Sequence, residues 1–305
     1  MISVGCDIGK SDLVVFLGGK HYKFKNEKEG IGKFIEECKK HEIFRIVLEP
    51  TGGYERKLLE ELHFHGFPVS IVNPRYIRRF AESDKDLAKT DKIDAKVLSE
   101  YGEVKKPKLY EPKEAYRSAL ERLTNRRDNL VSMQKEEKQR LRKEPCKLIL
   151  ESIKNHLQYL ETEIRVIESR MSRLIKENAK EINKILQSEK GIGFQTSSIL
   201  IGSLAELGYI DNRQIAKLVG AAPMARDSGT RSGKRSVRGG RHRVRSALYM
   251  ASVSAVRSNL KVKDFYNRLK KQGKPKKLAL LAVARKLIVI LNSKMRLFYE
   301  GKDYF

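Results

Sequence analysis

Four carboxylates near the amino end have types and spacing that suit metal chemistry. Asp7 stands inside an apolar run, Ile2-Ser-Val-Gly-Cys-Asp-Ile. Buried there, a carboxylate must be paired, hydrogen-bonded or metal-bound, or it costs several kcal/mol. A cap for the turn before Gly9 is the plainer use of the same residue. Glu49 closes a second apolar run, Phe44 to Leu48, and the Pro50-Thr-Gly-Gly that follows cannot continue a strand. Asp91 and Asp94 lie three apart, on one face of a helix that Thr90 could cap. A helix-terminal charge effect explains Asp91 better than Asp94. Oxygen-only donors suit Mg²⁺ or Mn²⁺ rather than zinc. Two such ions can clamp both sides of an in-line displacement at phosphorus.

A second candidate lies far away, in residues 220–245. Ser228 sits there between Asp227 and Gly229. Arg226, Arg231, Lys234, Arg235, Arg238, Arg241, Arg243 and Arg245 crowd the segment against a single acid, Asp227. Gly229, Gly233, Gly239 and Gly240 break any long helix or strand and let backbone come close to a partner. Such a loop suits a polyanion, although a charge run by itself is often only a solvated surface. Ser232, Ser236 and Ser246 are rival hydroxyls, and composition does not choose among them. Upstream, Gly191-Ile-Gly193 precedes a helical run. Its backbone N–H groups could meet a phosphate, as in a helix-hairpin-helix turn.

The elements that must position these residues follow from periodicity. Residues 2–17 read as two strands around a tight turn, 27–41 as a helix, Phe44 to Leu48 as a buried strand, and 54–65 as a helix. Val69 to Val72 then reads as a strand and Pro74 to Glu82 as a basic helix bearing Arg75, Arg78 and Arg79. That order predicts a mixed sheet covered by helices, with Glu49 at the strand end where ligands gather in open α/β sheets. Pro107 and Pro112 mark a boundary. Leu150, Ile153, Leu157, Leu160, Ile164, Ile167, Met171 and Leu174 then repeat as a coiled-coil seam. A weaker seam at Leu120, Leu123, Leu130 and Leu141 precedes it. The two could close as an antiparallel hairpin or pair with another subunit. Val244 to Val256 and Lys276 to Phe298 read as helices.

The bulk composition narrows the partners. With 305 residues and a net charge of +26, the chain carries a cationic excess that points to nucleic acid or an anionic surface. The longest apolar run, Leu278 to Leu291, is cut by Arg285 and Lys286 and is too short to span a bilayer. No signal peptide is read ahead of the first strand, and three cysteines without metal-type spacing suit reduced thiols, so a cytoplasmic protein is expected.

Taken together, these motifs resemble the DEDD-type transposases of bridge-RNA-guided insertion sequences, relatives of the pilin-gene invertases. The resemblance runs along essentially the whole chain. It is carried by Asp7 in Cys-Asp-Ile-Gly-Lys, Glu49 in Leu-Glu-Pro-Thr-Gly-Gly-Tyr, and Asp91 and Asp94 in Lys-Thr-Asp-Lys-Ile-Asp-Ala. Farther on it is carried by Gly220-x-x-Pro223, Asp227-Ser228-Gly229, Gly233-Lys-Arg, Gly239-Gly-Arg and Leu248-Tyr-Met-Ala. It implies a RuvC-like, RNase H-type α/β domain over residues 1–107 whose four acids bind Mg²⁺. A coiled-coil or helical hairpin over 108–188 and a mainly α-helical transposase domain over 189–305 would follow. The family's nucleophilic serine maps onto Ser228. The resemblance further implies a structured guide RNA, donor and target DNA as partners, a covalent phosphoserine, and a homo-oligomer from dimer to tetramer. Two alternatives stay open: a metal-dependent junction nuclease without a serine nucleophile, and a non-catalytic nucleic-acid-binding protein.

Overall fold

The computed structural model describes residues 1–83, 90–224, 233 and 236–302. The chain forms two compact units, Met1–Pro112 and Lys113–Phe305.

The first unit is built on a five-stranded sheet. Its strands are β1 (Ile2–Ile8), β2 (Asp12–Leu17), β3 (Lys20–Lys25), β4 (Ile43–Leu48) and β5 (Val69–Ile71), in the order β3-β2-β1-β4-β5. The first three pair antiparallel, whereas β4 runs parallel to β1, and β5 parallel to β4. Helices α1 (Lys28–Lys39), α2 (Arg56–Phe64), α3 (Pro74–Ser83) and α4 (Asp91–Lys105) complete the unit. A mixed sheet of this order is compatible with the RNase H-like expectation.

Strand alternation divides the two faces of the sheet. Val4, Cys6 and Ile8 point into a core with Phe34, Leu58 and Leu62 of α1 and α2. Residues 3, 5 and 7 take the opposite face, where α4 lies. There Val47, Val72, Ile77, Ala81, Val97 and Leu98 form a second cluster that binds α3 and α4 to the sheet. Phe80 and Tyr101 meet edge to face across it, with ring centres 5.3 Å apart. The strand β3 was not read from sequence. It is an edge strand, Lys-His-Tyr-Lys-Phe-Lys, whose outward lysines leave only Tyr22 and Phe24 to pack against the core. Edge strands commonly carry lysine in this way, which blunts pairing with other chains.

The second unit is helical except for one small hairpin. Helices α5 (Ala115–Leu141) and α6 (Lys147–Asn178) pack side by side. They are antiparallel: Arg127 of α5 reaches Glu168 of α6 at 2.6 Å, while Glu137, farther along α5, pairs with His156, earlier on α6, at 3.3 Å. Within this chain, then, the two apolar seams close on each other. Helices α7 (Lys180–Gln187), α8 (Phe194–Ser203) and α9 (Asn212–Leu218) follow, then strands β6 (Pro223–Met224) and β7 (Ser236–Val237). Helices α10 (His242–Ser258), α11 (Leu260–Lys271) and α12 (Lys276–Tyr299) complete the unit. One continuous core joins Leu120 and Leu130 of α5 and Leu160 and Met171 of α6 to Leu200, Leu248, Leu287 and Leu291. The helical pair and the residues after 188 therefore share a core. Cys6 and Cys38 are buried free thiols, and burial pushes Cys38 up to about 12. No helix among the described residues is long and apolar enough to cross a membrane.

Candidate active site and nucleic-acid interface

The acidic positions converge because of a backbone contact. A Cβ on Gly5 would overlap the carbonyl oxygen of Ala95 and would stand 2.5 Å from the Ser99 nitrogen. With glycine there, α4 lies directly on β1. Ser99 Oγ donates to the carbonyl of Ser3 at 2.9 Å in a buried hydrogen bond, and Gly102 lies against Ser3 and Val47. Going up α4 in sequence means going down β1, so the helix runs opposite to the strand. Its first turn, with Asp91 and Asp94, is therefore at the end of β1 that carries Asp7.

Glu49 reaches the same edge by register. Cys6 pairs with Leu48 in the parallel β1–β4 ladder, so residues 7 and 49 come next on neighbouring strands. Counting by twos from Val47, which faces α4, places Glu49 on the same sheet face as Asp7. Asp7, Glu49 and Asp94 are half-buried, and Asp91 is exposed. Thr90 caps α4, its hydroxyl accepting from the Ile93 N–H at 3.3 Å.

Asp7, Glu49, Asp91 and Asp94 are expected from the sequence to share one cation site. The structure gathers their backbone positions at one edge, but among the described residues no three His, Cys, Asp or Glu side chains form a group that could hold a metal ion. Like charges carried by three elements repel at short range, and α4 presents Asp91 outward. The donor chemistry, all carboxylate oxygen, fits a hard divalent cation.

Two residues that sequence reasoning missed shape this edge. Asn26 Nδ2 donates to the carbonyl of Gly9 at 3.0 Å and to that of Tyr54 at 3.2 Å. It thereby ties the turn after Asp7 to the loop after Glu49. Glu55 folds that second loop, accepting from Thr51 N–H at 3.1 Å, Thr51 Oγ1 at 3.0 Å and Gly53 N–H at 2.8 Å. Burial disfavours its charge, yet the N–H donors of Glu55, Gly53 and Thr51 outweigh that and hold its carboxyl below the usual range. Asn26 follows β3, the unread strand, so nothing in the sequence linked it to residues 9 and 54.

In the second unit, Ser228, Arg226, Arg231, Lys234 and Arg235 lie outside the described residues. The neck that carries their segment is well defined. Pro223 pairs with Val237 and Met224 with Ser236. Gly220 and Gly240 pack backbone to backbone with positive φ, +72° and +70°, where a Cβ on either would collide with the other strand of the neck. Arg245 Nη1 donates to the carbonyl of Gly239 at 2.5 Å and that of Gly220 at 3.4 Å. Arg241 holds Glu206 with both arms, each at 2.6 Å, and donates to the Ser203 carbonyl at 2.8 Å. Arg243 donates to Asp128 of α5 through Nε at 3.0 Å and Nη2 at 2.8 Å. Three of the arginines read as nucleic-acid contacts are thus engaged within the chain, while Arg238 is exposed.

The Gly191–Gly193 turn divides its roles. Gly191, at φ +103°, allows the backbone of Ala255 on α10 to approach, which is a packing function. Gly193 is the exposed N-cap of α8, with open space where a side chain would be.

Two family models match the chain. Residues 4–144 match the DEDD transposase model of the IS110 type, and residues 183–267 match the transposase IS116/IS110/IS902 family. The chain belongs to the IS110 family of DEDD transposases. The first match spans all four acidic positions and the second spans the serine loop. The transposase is 28% identical over 309 residues to the pilin gene-inverting protein of Moraxella bovis, covering 96% of this chain and 95% of that protein. The pilin gene-inverting protein of Moraxella lacunata is likewise 28% identical, with the same coverage. The insertion element IS110 43.6 kDa protein of Streptomyces coelicolor is 24% identical over 159 residues, 51% of this chain and 39% of that one. The transposase is therefore a DNA transposase or recombinase, with DNA as a partner, in a family that is generally metal-dependent.

Proposed function

We propose that the transposase exchanges DNA strands by transesterification, with Ser228 as the nucleophile and a structured guide RNA choosing the sites. Ser228 Oγ attacks a backbone phosphate and forms a phosphoserine bond, while the 3′ or 5′ oxygen of the cut strand leaves with the proton. A second strand's hydroxyl then attacks the phosphoserine and releases Ser228. Each step makes one phosphoester bond and breaks one, so no nucleotide hydrolysis is required.

The observation that carries this reading is the edge where β1, β4 and α4 bring positions 7, 49, 91 and 94 together. In its support, the loop bearing Ser228 springs from a neck fixed by Gly220, Gly240, Arg241 and Arg245. A free serine is a weak nucleophile and needs activation. Asp7, Glu49, Asp91 and Asp94 would hold a divalent cation, Mg²⁺ or Mn²⁺, which supplies charge stabilisation at phosphorus when bound. The carboxylates would close inward to do so. The arginines of the loop would bind the scissile phosphate bidentately. Guidance by RNA leaves the protein to read backbone and shape, as in other RNA-guided systems. A homo-oligomer, dimer to tetramer, would combine such sites.

The test is a denaturing gel on a nicked DNA substrate. Wild-type protein is expected to stay attached to cleaved DNA, and Ser228→Ala is expected to bind DNA without attaching. Cleavage without attachment in the wild type would favour a metal-only nuclease. Recombination by Ser228→Ala would refute the serine assignment.

A further inference from the structure

Beyond the acidic edge and the serine loop, the second unit carries another concentrated charge. Between Leu260 and Lys277 the chain holds eight lysines and arginines against one acid, Asp264. Six of them, Arg268, Lys270, Lys271, Lys274, Lys276 and Lys277, cluster at the corner where α11 turns into α12. The turn is tight: Gly273 N–H donates to the Lys270 carbonyl at 3.0 Å and Lys274 N–H to the Leu269 carbonyl at 3.1 Å. Every residue from 271 to 278 is exposed.

The corner differs from the ion-paired stretches of α1 and α6. On α1 and α6, cations sit beside acids one helical turn away, as in Lys33–Glu29 at 2.7 Å and Arg173–Glu177 at 2.8 Å. Among the described residues, none of the six corner cations has a carboxylate within ion-pair distance. Lys276 and Lys277 also occupy the first turn of α12, which holds no acid. The helix dipole is positive there, so both charges oppose it. Like charges this close weaken the fold of the isolated chain, and a polyanion would relieve that.

The corner also adjoins the neck of the serine loop. A cavity of about 140 Å³ is lined on one side by Pro223 and Val237 of the hairpin and on the other by Leu269, Lys274 and Leu278. The corner and the neck of the hairpin thus border one cavity. Most of the six are lysines, point charges that attract phosphate without the planar fork that reads base edges.

We infer that the α11–α12 corner is a phosphodiester-backbone track, binding nucleic acid that flanks the serine loop without regard to base sequence. It rests on the family's DNA binding and not on which hydroxyl is the nucleophile. The shared ligand chemistry is the sugar–phosphate backbone, of flanking duplex DNA or of a folded RNA.

The test uses the full chain with Lys271→Gln, Lys276→Gln and Lys277→Gln combined. A control combines Lys147→Gln, Lys154→Gln and Lys180→Gln, which removes the same charge from exposed positions on α6 and α7. Binding of a mixed-sequence DNA duplex and of a transcribed RNA hairpin is followed by anisotropy across a salt series. The corner variant should lose affinity and show a shallower salt slope, by roughly 0.9 for each duplex contact removed. The control should stay close to wild type. A loss confined to the duplex assigns the track to flanking DNA, and a loss confined to the hairpin assigns it to RNA. The Lys→Arg triple at the corner should keep wild-type slope. The glutamine triple should melt no lower than wild type, because it removes repulsion. Slopes equal to those of the control on both probes would overturn the inference. If the glutamine triple fails to fold, Lys276→Gln and Lys277→Gln taken singly must each still flatten the slope, or the inference falls.

Discussion

Gly5 and Ala95 meet backbone to backbone, with the helix carbonyl in the space where a side chain on residue 5 would project. This one contact sets α4 against β1 and so delivers Asp91 and Asp94 to the strand end of Asp7. Gly5→Ala should lower stability by about 3 kcal/mol, at the upper end for overpacking a filled core. Strand exchange should fall further than the loss of folded protein explains, because α4 is pushed off the edge. Urea unfolding beside a recombination assay separates the two, and an unchanged midpoint would contradict the contact.

Asn26 joins the two loops that follow Asp7 and Glu49. Asn26→Ala removes two hydrogen bonds that are exposed to solvent, so stability should drop by no more than about 1 kcal/mol. Turnover should drop by roughly tenfold to a hundredfold, since small displacements at a reacting centre are costly. DNA affinity should hold. A variant with equal losses in binding and turnover would deny Asn26 a positioning role.

The Arg241–Glu206 pair should make the loop neck pH-sensitive. Burial raises the Glu206 carboxyl, but the Arg241 guanidinium more than offsets this and holds it below its ordinary value of 4.5. A depressed carboxyl gives stability that is fully present above the ordinary value and is lost as pH falls through the folded one. Glu206→Gln should therefore cost on the order of 1 kcal/mol at neutral pH, a figure for a well-formed, partly exposed pair. The gap between variant and wild type should close below pH 4.5. Thermal melts at two pH values check this, and a gap that persists in acid would rule the pair out as its source.

Much of this architecture was legible in the sequence where patterning was strong. The apolar runs from Ile2 and from Phe44 to Leu48 and the seam from Leu150 to Leu174 each left a clear pattern, and Thr90 marked the start of its helix. What escaped was structure whose support is non-local. Strand β3 alternates lysine with two aromatics and holds through its pairing with β2. Helix α11 went unread because its cations obscure the apolar positions Val262, Phe265 and Tyr266. At the sites, the acids were readable by type, yet their shared edge depends on the Gly5 contact. Arg241 finds its partners 35 and 38 residues away, Arg243 finds Asp128 at 115, and Arg245 reaches Gly220 at 25, all beyond the reach of local patterning.

The acidic edge and the serine are expected to act on one phosphodiester. Asp7→Asn combined with Glu49→Gln leaves Ser228 untouched, and the covalent protein–DNA adduct can be counted on a denaturing gel with Mg²⁺ present. Adduct formation should be lost while DNA binding persists, and Ser228→Ala should give the same blank lane. An adduct formed by this doubly substituted protein at the wild-type rate would mean that the carboxylates and the hydroxyl serve different reactions.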